Sequence, residues 1–274
     1  VSTEMTARVP PAGAPNGAER WLRALRASSE RLSGAAGTLT KAELERPSMA
    51  AGWSVAAVLS HLGSAAEICA NLLERGIAGD ERGPVRKELE PVWERWNALP
   101  PLAQREAWRA ADARHLGLLG SLGRREHESV RVPYFAGLLS VPNYIGYRLS
   151  EQSLHAWDVE AALHPGKAIP APEVALLWER LDLVATRFRN PGTLLRLAPA
   201  QLTVALTDPA RTLLLDLGAE LHLYPCEPSR PVGAVTGTAE AVLRLVYGRN
   251  RLEDDVRVSG ALALDDLRSL FPGF

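Results

Sequence analysis

Cysteine is nearly absent from this chain of 274 residues. The two present, Cys69 and Cys226, are far apart and in no CxxC arrangement, which excludes a disulfide scaffold and a thiolate zinc site and fits a reducing cytoplasm. A charge excess is lacking too: 31 Lys and Arg against 32 Asp and Glu leave a formal net charge of −1. No basic field therefore calls for a phosphate backbone or an anionic membrane surface, and neither nucleic acid nor membrane is an expected partner. No stretch reads as long enough to span a bilayer, and Val1 to Gly17, with Arg8 and several Pro and Gly, has no apolar leader segment. Neither export nor anchoring is expected. Lysine occurs only at Lys41, Lys87 and Lys167, so arginine supplies almost all the positive charge.

What is present is a core. With 46% apolar residues, and too few Pro and Gly for a disordered chain, the sequence is long enough to fold without a staple into one or two domains. Ala18 to Leu32 carries Trp21, Leu22, Leu25 and Leu32 at helical spacing. Thr40 caps a short KAELE turn, and Ser54 is a good N-cap for a helix to about Arg75 that Gly76 would end. A third helical region spans Glu88 to Leu122 with a break at Pro100 and Pro101, and a fourth opens at Ser140 and runs to about Leu163. Four such helices predict a bundle.

The segment HPGKAIPAP then reads as an interdomain linker or a long surface connection. Beyond it a helix is expected over Glu173 to Phe188, and strands in LLRLAPAQLTVAL, RTLLLDL and AELHLY. A helix stopped by Gly248, a strand in VRVSG and a closing helix in ALALDDLRSLF complete the pattern. The expected fold class is α+β in two domains, a helical bundle over residues 1–165 and a smaller α+β domain over 166–274.

The fourth helix carries the chemistry. At 100° per residue, Tyr144, Arg148, Glu151, His155 and Asp158 fall within about 80° of one another. A solvated face is the ordinary explanation of such a stripe, but Tyr147, Leu154 and Ala161 flank it on one side and Ile145, Val159 and Leu163 on the other. Buried carboxylates need compensation, and a metal ion would supply it. His61 has Ala57, Val58, Ala65, Ile68 and Leu72 as helical-wheel neighbours, so it also points inward. It is either a core histidine bonded to a carbonyl or the third ligand of a bundle-core site with Glu151 and His155, which stand one turn apart.

The strings PSMAAGWSVAAVLSHLGSAAE and YRLSEQSLHAWDVEAAL resemble, in spacing and order, the two signature segments of the mycothiol-dependent maleylpyruvate isomerase family. TGTAEAVLRLVYGR and VRVSGALAL resemble the end of that family's smaller domain. The resemblance implies a DinB-like up-and-down four-helix bundle that holds a divalent metal, taken as zinc, through His61, Glu151 and His155. It gives Asp158 the place of a ligand-orienting carboxylate and Arg249 a place across the interdomain cleft. For Arg249 the alternative is a solvated arginine at a helix C-terminus, and Arg251 competes for the role.

Two histidines and a carboxylate leave one coordination position open, which favours catalysis over a structural role. Because neither signature contains a reactive cysteine, the thiol would come from outside, as mycothiol acting as cosubstrate. Tyr144 and Arg148 are candidate binding residues for the small molecules, Arg148 as a carboxylate clamp. Trp53 and Trp157 are expected in the core, and Cys69 as a buried small hydrophobe. The expected function is S-transfer or thiol exchange between mycothiol and a small electrophilic metabolite, in biosynthesis or detoxification. The alternatives are cis–trans isomerisation of the maleylpyruvate type and noncatalytic binding. The expected assembly is a monomer or a small homo-oligomer.

Overall fold

A computed structural model describes residues 17–226 and 228–273; the leader-free reading of the first residues falls almost wholly outside them. The N-terminal half runs α1 (Gly17–Ala36), α2 (Lys41–Leu44), α3 (Val55–Ile77), α4 (Arg86–Asn97), α5 (Pro101–Ser121), α6 (Arg124–Ser129), β1 (Arg131–Tyr134), β2 (Gly137–Ser140) and α7 (Val141–Leu163). The C-terminal half runs α8 (Ala171–Trp178), α9 (Leu181–Phe188), α10 (Pro191–Leu197), β3 (Ala200–Thr207), β4 (Ala210–Leu217), β5 (Leu221–Tyr224), β6 (Gly233–Gly237), α11 (Ala239–Val246), β7 (Arg257–Gly260) and α12 (Leu264–Leu270).

The four long helices pack as the sequence pattern predicts, α3 along α5 and α1 along α7, with α3 also against α7. Ser54 caps α3 by accepting from the Ala57 amide at 3.1 Å, and Thr40 and Glu43 form a reciprocal capping box on α2. α3 is, by length and composition, apolar enough to cross a membrane, contrary to the expectation that no stretch is, and most of it is buried in the bundle. Gly76 does not end α3. A Cβ there would strike the Arg131 carbonyl oxygen, so this glycine lets the β1–β2 hairpin lie against the helix. The hairpin itself, with Val132 opposite Leu139, is absent from the sequence reading.

In the C-terminal half, five strands form one sheet in the order β5-β4-β3-β6-β7. All neighbours are antiparallel except β3 and β6, where Val204 lies opposite Val235. β3 alternates as a half-buried strand should, with Leu202, Val204 and Leu206 inward. The helix expected over Glu173 to Phe188 is two helices, broken where Arg180 leaves helical geometry and buries its side chain against Trp21 and Tyr147. α10 occupies part of a run read as strand.

The stretch read as a linker is not loose: Ile169 is buried in one apolar cluster that continues from Trp21 and Trp157 to Val204 and Phe271. Polar ties reinforce it. The Trp157 Nε1–H donates to the Lys167 carbonyl at 2.9 Å, and the Tyr247 hydroxyl donates to Ser150 Oγ at 3.0 Å. The buried Arg244 guanidinium lies over the Trp157 ring, 4.7 Å from its centroid, and pairs with Glu240 and Asp254. α11 is thereby fixed against α7. Its end is set by Gly248 at φ +70°, where a Cβ would collide with the backbone of Gly273.

Candidate functional site

The whole polar stripe of α7 is turned into the protein. Arg148, His155 and Asp158 are buried, and Glu151 is nearly so. His61, from α3, meets it: its Nε2–H donates to Glu151 Oε1 at 2.9 Å, and its ring centroid is 4.8 Å from that of His155. The second Glu151 oxygen accepts from Arg148 Nη1. His61, Glu151 and His155 all line one cavity of about 430 Å³, which Trp53, Arg249 and the Gly273 backbone help to close.

Each imidazole is held by an identifiable partner. The His155 Nδ1–H donates to Asp158 Oδ2 at 2.9 Å, which directs Nε2 toward other ligands. Asp158, fully buried, also accepts from Arg249, with Nε 3.1 Å from Oδ1 and Nη2 3.2 Å from Oδ2. Arg249 thus reaches from the end of α11 to the second residue behind a ring nitrogen, forming the chain Arg249, Asp158, His155. Trp53 covers the pair of imidazoles: its ring stacks on His155 at 5.8 Å and 11°, and lies 5.0 Å from His61. It is 38% exposed, so the expectation that it is a core residue is corrected. It precedes the Ser54 cap, where helical periodicity places nothing.

Electrostatics follow this geometry. Burial by itself would raise the Glu151 carboxyl, but the adjacent Arg148 charge, the His61 hydrogen bond and the two imidazoles outweigh it and hold the group well below the usual carboxylate range. Burial lowers His155 despite the opposing Asp158 carboxylate. Both groups are therefore poised in the forms that bind cations, carboxylate and neutral imidazole.

Among the described residues, no three His, Cys, Asp or Glu side chains are gathered closely enough to hold a cation as they stand. One adjustment that a cation would require is visible in the pair that faces the cavity. His61 Nε2 and Glu151 Oε1 share a proton across 2.9 Å, whereas two ligands about 2.1 Å from a tetrahedral zinc ion stand roughly 3.4 Å apart. A cation replacing that proton needs an opening of about half an ångström, within side-chain reach. The donor set, the fixed His155 tautomer and the shared cavity fit a divalent metal.

Two other expected site residues lie elsewhere in function. Tyr144 lines neither large cavity: its hydroxyl donates to the Cys69 carbonyl at 2.9 Å and receives the His115 Nε2–H at 2.6 Å, deep in the bundle. Arg148 borders the second cavity but is 1% exposed, and its Nη1 donates to Glu151 while its Nε has no hydrogen-bond partner among the described residues, so the carboxylate it holds is the protein's own. Cys69 is buried as expected, but it also borders a second cavity, of about 270 Å³, that shares His61 and Glu151 with the first. Burial raises its thiol to about 11, so it is not a thiolate at neutral pH.

Residues 25–160, a span that contains all of His61, Glu151, His155 and Asp158, match the family model of the mycothiol maleylpyruvate isomerase N-terminal domain. The chain belongs to the mycothiol maleylpyruvate isomerase family. Its fold is that of a crystallised mycothiol-dependent maleylpyruvate isomerase, at a TM-score of 0.65 and 18% identity over 89% of this chain and 94% of the other. YfiT from Bacillus subtilis, a protein with an unusual four-helix bundle topology, is a slighter likeness, at a TM-score of 0.43 and 15% identity over 57% of this chain and 93% of the other. No curated protein sequence matches the chain.

Proposed function

We propose that this family member is a metalloenzyme that uses mycothiol to isomerise an electrophilic alkene, with His61, Glu151 and His155 as metal ligands. The observation that carries the reading is that these three side chains, from two helices far apart in sequence, face a single cavity while Asp158 and Arg249 orient one of them from behind. A divalent cation, zinc by the character of the donors, supplies Lewis acidity that lowers a small thiol's pKa below its free value of about 8.5.

The chain's own residues do the rest. Cys69, with its thiol raised to about 11, does not compete as the nucleophile, and Cys226 lines neither cavity, so the role falls to an external thiol. Asp158 holds His155 in the tautomer that presents Nε2, and the Arg249 guanidinium at the cavity wall pairs with Asp158 and aligns it. In the reaction the thiolate sulfur bonds to one alkene carbon while the π pair moves onto a conjugated carbonyl. Rotation about the resulting single bond and return of the electron pair then expel the thiolate unchanged. In this reading, residues 1–165 form the metal-binding bundle, and 166–274 form the smaller α+β part that delivers Arg249. The compartment is one where free thiol persists, the cytoplasm.

Membership of the isomerase family supports the isomerisation reading over S-transfer, the outcome in which the thioether is the released product. Zinc-loaded protein given a Z-configured conjugated alkene and one-tenth equivalent of mycothiol tests this by proton NMR. Accumulation of the E isomer with the thiol conserved is the expected result. Consumption of one thiol per thioether formed would replace the isomerase reading with S-transfer, and saturable thiol binding with no product would leave only a binder.

A further inference from the structure

The second cavity, the one that shares His61 and Glu151 with the metal-facing one, has a lining unlike the rest of the molecule. The chain has only 7 Trp, 5 Tyr and 4 Phe, yet Trp93, Tyr134, Phe135, Tyr147, Phe188 and Tyr247 all line this one space of about 270 Å³. They come from α4, the β1–β2 turn, α7, α9 and the end of α11, so separate parts of the fold converge to build it. The rings are fitted to one another: Tyr134 lies 5.2 Å from Phe135, edge to face, and 5.4 Å from Tyr147.

Its cations leave room for one anion at most, at the solvent edge beside Arg187. Of the two arginines in the lining, Arg148 is buried and bonded to Glu151. Arg187, at the solvent side, stacks on Tyr147 and Phe188 at 6.0 and 5.8 Å. A compound with two carboxylates would have to bury at least one against aromatic walls without a bidentate partner, which is costly. A neutral ring meets no such cost. An engineered cavity of about 150 Å³ accepts benzene, so about 270 Å³ holds a ring with a conjugated side arm.

We infer that the electrophile is an aryl-bearing α,β-unsaturated carbonyl compound with at most one anionic end, whose ring occupies the aromatic cavity while its alkene lies at the His61–Glu151 end; a small dicarboxylate is not the substrate. This rests on the proposed thiol chemistry for the reaction but not for the binding. A site with two mouths on one pair of side chains keeps the substrates apart: the polar thiol enters beside Arg249 and Trp53, and the apolar electrophile enters among the rings.

Binding without turnover separates the two readings. Metal-free full-length protein, with no thiol present, is titrated by saturation-transfer NMR with 4-phenylbutan-2-one, a saturated aryl ketone, and with succinate. The ketone is expected to bind at least tenfold more tightly. Tyr147→Ala and Phe188→Ala, both at partly exposed positions, should each weaken it at least fivefold, whereas Tyr147→Phe keeps the ring and should bind within twofold of the unaltered protein. Equal or tighter succinate binding overturns the inference, as does ketone binding indifferent to both alanine variants. If the ketone binds as expected but the unsaturated analogue, 4-phenylbut-3-en-2-one, is not processed with zinc and mycothiol, the proposed reaction fails while the cavity assignment stands.

Discussion

Asp158→Asn is the perturbation with the most to say, because Asp158 lines neither cavity and is not itself a proposed ligand, yet it joins His155 to Arg249. Asparagine keeps the shape and one acceptor oxygen for the His155 Nδ1–H, so the ring is not released. What disappears is the negative charge that both strengthens His155 as a donor and pairs with Arg249. Partners of this kind typically contribute 10- to 100-fold to metal affinity, about 1.4 to 2.7 kcal/mol. Fold stability should fall as well, by roughly 1.5 to 3 kcal/mol, since the Arg249 guanidinium, 11% exposed, loses a charged hydrogen-bond partner. Chelator competition measures zinc affinity, and urea unfolding of metal-free protein measures the second effect, so the two separate. Zinc affinity within twofold of the unaltered protein, in a variant that is folded, would refute the orienting role.

Two further outcomes follow from the bundle. His115 is buried against Tyr144, and burial holds it well below its ordinary value, with the Arg148 charge acting in the same direction. The unfolded chain takes up a proton below about pH 6.5 and the folded chain does not, so stability falls on acidification, by up to about 1.4 kcal/mol per pH unit below that point. Urea unfolding of metal-free protein between pH 7 and 5 should show a shallower loss in His115→Gln; an unchanged slope contradicts the assignment. Gly76→Ala should cost about 1 to 3 kcal/mol, because a methyl group has no room against the Arg131 carbonyl. A melting temperature equal to the unaltered protein's would show that the hairpin yields freely.

The helices were legible where periodicity and capping agree. Ser54, Thr40 and Gly248 act as the sequence says, and the α7 stripe is buried because its apolar flanks demand it. A glycine needed for close approach, as Gly76 is, looks in sequence like one that ends a helix. The β1–β2 hairpin leaves no sequence signal, since RVPYFAGLLS holds a proline and no clean alternation, and it packs on α3 and α7. Trp53 and the aromatic cavity are long-range results: five elements must meet before six scattered rings become one wall. Arg148 and Tyr144 stand on the right face of α7, but a helical wheel does not say which members of a stripe reach a cavity and which are consumed by buried partners.

The central claim is that His61, Glu151 and His155 together hold one divalent cation. Equilibrium dialysis against zinc with elemental analysis of the folded protein tests it most directly, run beside His61→Ala, Glu151→Gln and His155→Ala. The account predicts one zinc per chain in the unaltered protein and loss of most of it in each variant while the fold persists by circular dichroism. A chain that retains no zinc, or variants that retain it as well as the unaltered protein does, would contradict it.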